Sequence, residues 1–201
     1  MPQDWAPSNW SESHARNVAQ QISKLRGDRS AQWLSDRTSD LGYRVNRATI
    51  ADIENGRRRY VTTAELVILA AALNTSPVAL LFPGPDYQSE VEALPGRADR
   101  KIDVVQWFSG ISSVGYTDLA NHPDGPGAAG RESARLRSEY QENTRELRLW
   151  RELLEVYRRI SSVRIPLSGN VSEDKKHLLD LYSDQVHSLR MQLGLEDEDG
   201  G

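Results

Sequence analysis

The residues from Asn46 to Arg59 hold the side chains of this chain with the most specific chemistry. If Ile50 and Ile53 face inward, a helix over 46–55 presents Arg47, Ala48, Ala51, Asp52 and Asn55 on its opposite side, with Thr49 near the edge. Small residues let a helix approach base edges closely, and the major groove of duplex DNA is wide enough to admit one. Arg47 has the fork that bonds guanine in bidentate fashion, while Thr49 and Ala51 suit thymine methyl groups. Arg57, Arg58 and Arg59 follow the helix end and suit phosphate oxygens, which position a protein without reading sequence. Arg44 and Asn46 flank the helix start and join the candidate contact set. Taken alone, consecutive arginines describe a solvated turn, and Ile50 and Ile53 are ordinary core residues. Their conjunction at one helix end is what points to DNA.

Such a face needs a scaffold, and the chain has the means for one. Its 201 residues are 38% apolar and 27% charged, enough for one domain or two small ones and too apolar for wholesale disorder. No apolar run approaches the roughly 20 residues of a membrane helix. The first residues show no signal peptide, and the absence of cysteine excludes disulfides and thiolate metal sites, so a cytoplasmic setting is expected. The net charge of −4 hides a polarity. From His14 to Tyr60 ten Lys/Arg face five Asp/Glu, whereas from Tyr87 onward fifteen face twenty, with four acids at Glu196–Asp199.

Periodicity predicts an all-α protein. Residues 1–13 read as a mobile arm. Five short helices follow within 14–86: one through Val18, Ile22 and Leu25; one capped by Ser30 and carrying Trp33, Leu34 and Leu41; the helix capped by Asn46; one capped by Thr62 or Thr63; and one opening at Ser76-Pro77. Asn55-Gly56 suits a left-handed C-cap. Residues 87–130 read as a linker with a short amphipathic helix at 99–108 and a glycine-rich tether from Gly110 to Gly130. Residues 131–195 read as a helical hairpin, closed by the acidic tail 196–201. Within it a single helix is predicted over Arg131–Arg164, about 51 Å long at 1.5 Å per residue. Leu136, Tyr140, Asn143, Leu147, Trp150, Leu154 and Tyr157 form one stripe along that helix, and Leu149, Leu153, Val156, Ile160 and Val163 form a second beside it. The first is the expected homodimer seam, through Leu136, Tyr140, Leu147, Trp150, Leu154 and Tyr157. The second is expected to meet the last helix, capped by Ser172.

The segment from Val18 to Phe82 resembles the Cro-like, phage-repressor type of helix-turn-helix domain, the xenobiotic-response-element family. The resemblance rests on Ser30-Ala31-Gln32-Trp33-Leu34-Ser35, on Asn46 to Arg58 with an Ile-Glu-x-Gly-x-Arg pattern at Ile53–Arg58, and on Leu66, Leu69, Ala70, Ala72, Leu73 and Pro77–Phe82. It covers about a third of the chain. Two departures stand out: the stretch from Leu34 to Glu54 is some five residues longer than the common spacing, and the family's phosphate-contacting Gln is Ala31 here, with Gln32 one place along. The resemblance implies that Glu54 supports the domain internally, paired with an arginine such as Arg26 or Arg37.

Some relatives carry a catalytic unit, and its chemistry is not visible here. His14, His122, His177 and His187 never approach the spacing of a zinc peptidase, and the helical sequence after Ala129-Gly130 does not fit a self-cleaving repressor. No enzyme activity, cofactor, metal or small-molecule ligand is therefore expected. The expected role is a sequence-specific DNA-binding regulator, a repressor in a phage or prophage immunity setting, acting on double-stranded DNA as a homodimer. The alternative is an adaptor that keeps the fold and holds a partner protein on the C-terminal hairpin.

Overall fold

Local capping sets where most of the N-terminal helices begin. The structure, a computed structural model, describes residues 5–113, 123–164 and 173–195. Helix α1 (Trp10–Arg26) starts where the Asn9 side chain accepts from the Glu12 backbone N–H at 3.0 Å. Ser30 does the same for Trp33 at the start of α2 (Ala31–Asp40), and Asn46 for Thr49 at the start of α3 (Arg47–Glu54). A reciprocal pair, Thr62 with Glu65, opens α4 (Thr63–Ala72). Helix α5 (Pro77–Leu81) opens on its proline instead, without a side-chain cap from Ser76. The apolar faces of these five helices meet in one core around Val18, Ile22, Leu34, Val45, Ile50, Ile53, Leu69 and Leu80. Leu41, expected on the buried face of α2, lies at its C-terminal cap and is half exposed.

Several boundaries differ from the sequence expectation. The arm predicted over residues 1–13 is helical from Trp10, because Asn9 is a good cap and the Trp10 indole N–H donates to the Glu92 carbonyl at 3.1 Å. The stretch predicted as linker from residue 87 forms an antiparallel hairpin, β1 (Glu90–Leu94) and β2 (Arg97–Arg100), turned at Gly96 with φ +73°. Its register pairs Glu90 with Arg100 and Glu92 with Ala98, with an irregularity that tucks Ala93 inward. Helix α6 (Lys101–Phe108) follows at once. Phe82, Ala93 and Val104 form a second small core there, joined by Leu81, Val91 and Trp107. The first compact unit therefore runs through Ser109, not residue 86.

The second unit, Gly110–Gly201, holds three helices among the described residues. Helix α7 (Gly125–Asn143) includes Gly125, Gly127 and Gly130, so the predicted tether is helical at its end; residues 114–122 lie outside the described residues. The single helix predicted over 131–164 is interrupted at Thr144, which separates α7 from α8 (Arg145–Arg164). The Thr144 hydroxyl donates to the Tyr140 carbonyl at 2.7 Å, a back-bond that bends helices. Helix α9 (Glu173–Gln192) packs along α8 through Leu153, Val156 and Leu189, with Leu149, Ile160, Tyr182 and Val186 around them. Ser172 and the tail 196–201 lie outside the described residues. The chain is mostly helical, and among the described residues no helix is long and apolar enough to cross a membrane.

Candidate nucleic-acid interface

Helix α3 is held from beneath at both ends. At its start, the buried Thr38 hydroxyl donates to the Ser35 carbonyl at 2.8 Å and accepts the Val45 N–H at 3.0 Å. The Thr38 carbonyl also accepts from Tyr43 at 3.2 Å, so one residue of α2 shapes the connector that delivers Asn46. This connector, residues 41–46, passes through Gly42 at φ +91°. Replacing Thr38 with the isosteric Val strands the Val45 N–H in the core. The expected loss is about 1–3 kcal/mol in denaturant unfolding, with faster amide exchange at Val45.

At the end of α3, Glu54 is buried and accepts two bonds from Arg26 of α1, Nε to Oε1 and Nη2 to Oε2, both 2.8 Å. Those bonds hold the Arg26 guanidinium above its ordinary value, against a smaller opposing effect of burial. Of the two arginines expected to pair with Glu54, Arg26 does so; Arg37 lies 5.9 Å from the Trp33 ring centroid. Gly56 follows at φ +67°, and the Trp5 indole lies so close that any Cβ there would collide with it.

With Ile50 and Ile53 buried and Glu54 tied inward, the remaining face of α3 is small and polar. Arg47 and Ala48 are exposed, and Thr49, Ala51, Asp52 and Asn55 are half-buried. Arg47 makes no hydrogen bond or ion pair among the described residues. Asn46 is exposed, but its side-chain oxygen serves the cap. Around this face the other candidates already have partners. Gln32 donates to Asp36 at 2.8 Å, Arg44 reaches the same carboxylate at 3.4 Å, and Arg57 bonds Asp52 at 2.7 Å. Arg59 lies 3.2 Å from Glu12. Exposed pairs of this kind contribute about 0–1 kcal/mol and open readily to a competing phosphate. Asp36 was not anticipated by sequence reasoning; only the fold brings it between Gln32 and Arg44.

Arg58 corrects an expectation. Instead of lying free for phosphate it is turned inward, bonding Glu65 at 2.6 and 2.9 Å and stacking 4.2 Å from the Tyr60 ring. Glu65 also accepts from Thr62, so one carboxylate joins the arginine run to the start of α4. Arg58→Ala should therefore lower stability by about 1–3 kcal/mol. It should leave the slope of log affinity against log salt unchanged, where a lost phosphate contact would shallow it by about 0.9. Burial raises the Glu65 carboxyl, but the bonds from Arg58 and Thr62 outweigh it and hold the group below the ordinary glutamate range. Its folded value thus lies below its unfolded one. The pair stabilises the fold above the ordinary glutamate value, and that contribution fades as pH falls through the folded value. Stability measured against pH should fall over that interval in the wild type and less in Glu65→Gln.

On the second unit, the predicted seam divides at Thr144. Leu136 and Tyr140 are half-buried on α7, whereas Leu147, Trp150, Leu154 and Tyr157 of α8 are exposed at 45, 43, 51 and 39%. Helix α9 covers the other stripe. Comparison of the chain with protein-family models, with curated proteins and with solved structures gave no match, so the meaning of these faces rests on their own chemistry.

Proposed function

We propose that the protein is a sequence-specific DNA-binding regulator of transcription, of the repressor kind, with α3 as the recognition helix in the major groove. One observation carries this reading: α3 presents an exposed Arg47 without a hydrogen-bond or ion-pair partner among the described residues, beside small residues, on a helix fixed at both ends by Thr38 and by Arg26–Glu54. The resemblance to Cro-like domains at Ile53–Arg58 and the positive balance of residues 14–60 support it. Gln32, Arg44, Arg57 and Arg59 serve phosphates, exchanging their carboxylate partners for the backbone of the duplex. The exposed stripe of α8 meets a second copy of the chain, and its mixed-sign flanks, Glu146, Arg151 and Glu155 among them, suit a two-fold pairing. That stripe also favours the second reading, an adaptor with a protein partner seated on α8.

Genomic fragments captured by the purified protein and sequenced would supply an operator. On that operator Arg47→Ala should cost about 1–3 kcal/mol and relax the preference at one base position, with little change on random DNA. Equal losses on both would remove Arg47 from base readout.

A further inference from the structure

The residues that lead into α1 lie over the turn that ends α3. The half-buried Trp5 packs its indole against Gly56, in the space a side chain would fill at any other residue. The same ring lies 5.1 Å from the Arg59 guanidinium carbon, within the reach of a cation–π attraction. Glu12, in the first turn of α1, accepts from Arg59 Nη1 at 3.2 Å. Its Oε2 also accepts the Ser8 backbone N–H at 2.9 Å. Arg59 further bonds its own turn, Nε donating to the Gly56 carbonyl at 3.4 Å. An arginine suited to phosphate is thus engaged by an indole, a carboxylate and a carbonyl at once.

The partners differ in how firmly they are held. The Glu12 side chain is 17% exposed and tied to Ser8, whereas Arg59 is 46% exposed and stands on a turn. The carboxylate therefore stays in place when the guanidinium leaves. A phosphate that takes Arg59 competes with a built-in anion and with the ring beside it. Arg57 differs: it pairs only with the exposed Asp52 of α3, and no ring stacks on it among the described residues. We propose that Trp5 and Glu12 form an autoinhibitory clasp, which withholds Arg59 from polyanions and opens when duplex DNA displaces it. This regulation rests on the DNA-binding reading and concerns the same face. Arg47 lies at the opposite end of α3, so the clasp sets affinity for any duplex and leaves base preference alone.

Binding of a mixed-sequence duplex to the full-length protein reads the clasp. Trp5→Ala, which changes no charge, should bind about two- to fivefold more tightly than the wild type, as expected for one exposed cation–π contact. Glu12→Gln, which removes the ion pair, should gain up to about fivefold. In an Arg59→Met background, Trp5→Ala should give no gain. A gain that persists without Arg59, or no gain with Arg59 present, would overturn the clasp and leave DNA binding standing. In the wild type the Trp5 indole N–H resonance should shift saturably as duplex is added. An unmoved Trp5 signal at saturation would overturn the clasp even if a variant failed to fold. Binding by the two variants but not by the wild type would support it. No duplex binding by the wild type or either variant would instead remove the DNA-binding reading, and the clasp with it.

Discussion

Leu154→Glu is expected to convert the full-length protein from a dimer to a monomer and to weaken operator binding by about 10²- to 10⁴-fold. Leu147, Trp150, Leu154 and Tyr157 recur at spacings of three and four along α8 and are all exposed, although α8 buries its other stripe against α9. A charge at Leu154 touches none of the residues that join α8 to α9, so the unit should keep its fold and lose only the seam. The effect on DNA is large because a single recognition helix reads only a short half-site. Two copies about one duplex turn apart turn the second contact into an intramolecular one. Light scattering at micromolar concentration reads the first half of this outcome. A wild-type mass near 22.6 kDa would contradict the dimer, and a mass near twice that would support it.

Arg26→Met should lower the stability of the N-terminal unit by about 3 kcal/mol, because it leaves the Glu54 carboxylate buried without its partner. The figure is set at the low end for a broken buried pair, since the Arg26 side chain retains 17% exposure. For a unit of this size that corresponds to a fall of more than roughly 10 °C in Tm. Hydrogen exchange should locate the loss at the end of α3, where Glu54 sits between Ile53 and the turn at Gly56. A change below about 1 kcal/mol would mean that the pair is replaceable by water, and that α3 is held by its apolar contacts alone.

What could be read from the sequence was local. Ser30, Asn46 and Thr62 are caps because each accepts a backbone N–H three residues along, and Ile50 and Ile53 are core because they share one side of a short helix. The pairing of Glu54 with an arginine followed from the family resemblance, and the fold selected Arg26. What escaped depended on contacts distant in sequence or on competition between partners. Trp10 is held by Glu92, 82 residues away, so the helical start of α1 looked like an arm. The strands Glu90–Leu94 and Arg97–Arg100 are too short and too charged to show alternation clearly. Thr144 offered no break signal beyond its own hydroxyl. Arg57, Arg58 and Arg59 are identical in type, and only the position of Glu65 decides that the middle one turns inward.

Whether α3 reads DNA sequence is decided by a binding titration. The full-length protein would be titrated onto a fragment recovered from genomic capture and onto a scrambled duplex of equal length, by fluorescence anisotropy between 50 and 200 mM salt (about the range over which phosphate contacts show their effect). A specific regulator prefers its operator by at least about 10³-fold and loses affinity for both duplexes steeply as salt rises. Equal affinity for the two duplexes, or binding indifferent to salt, would exclude α3 as a sequence-reading helix.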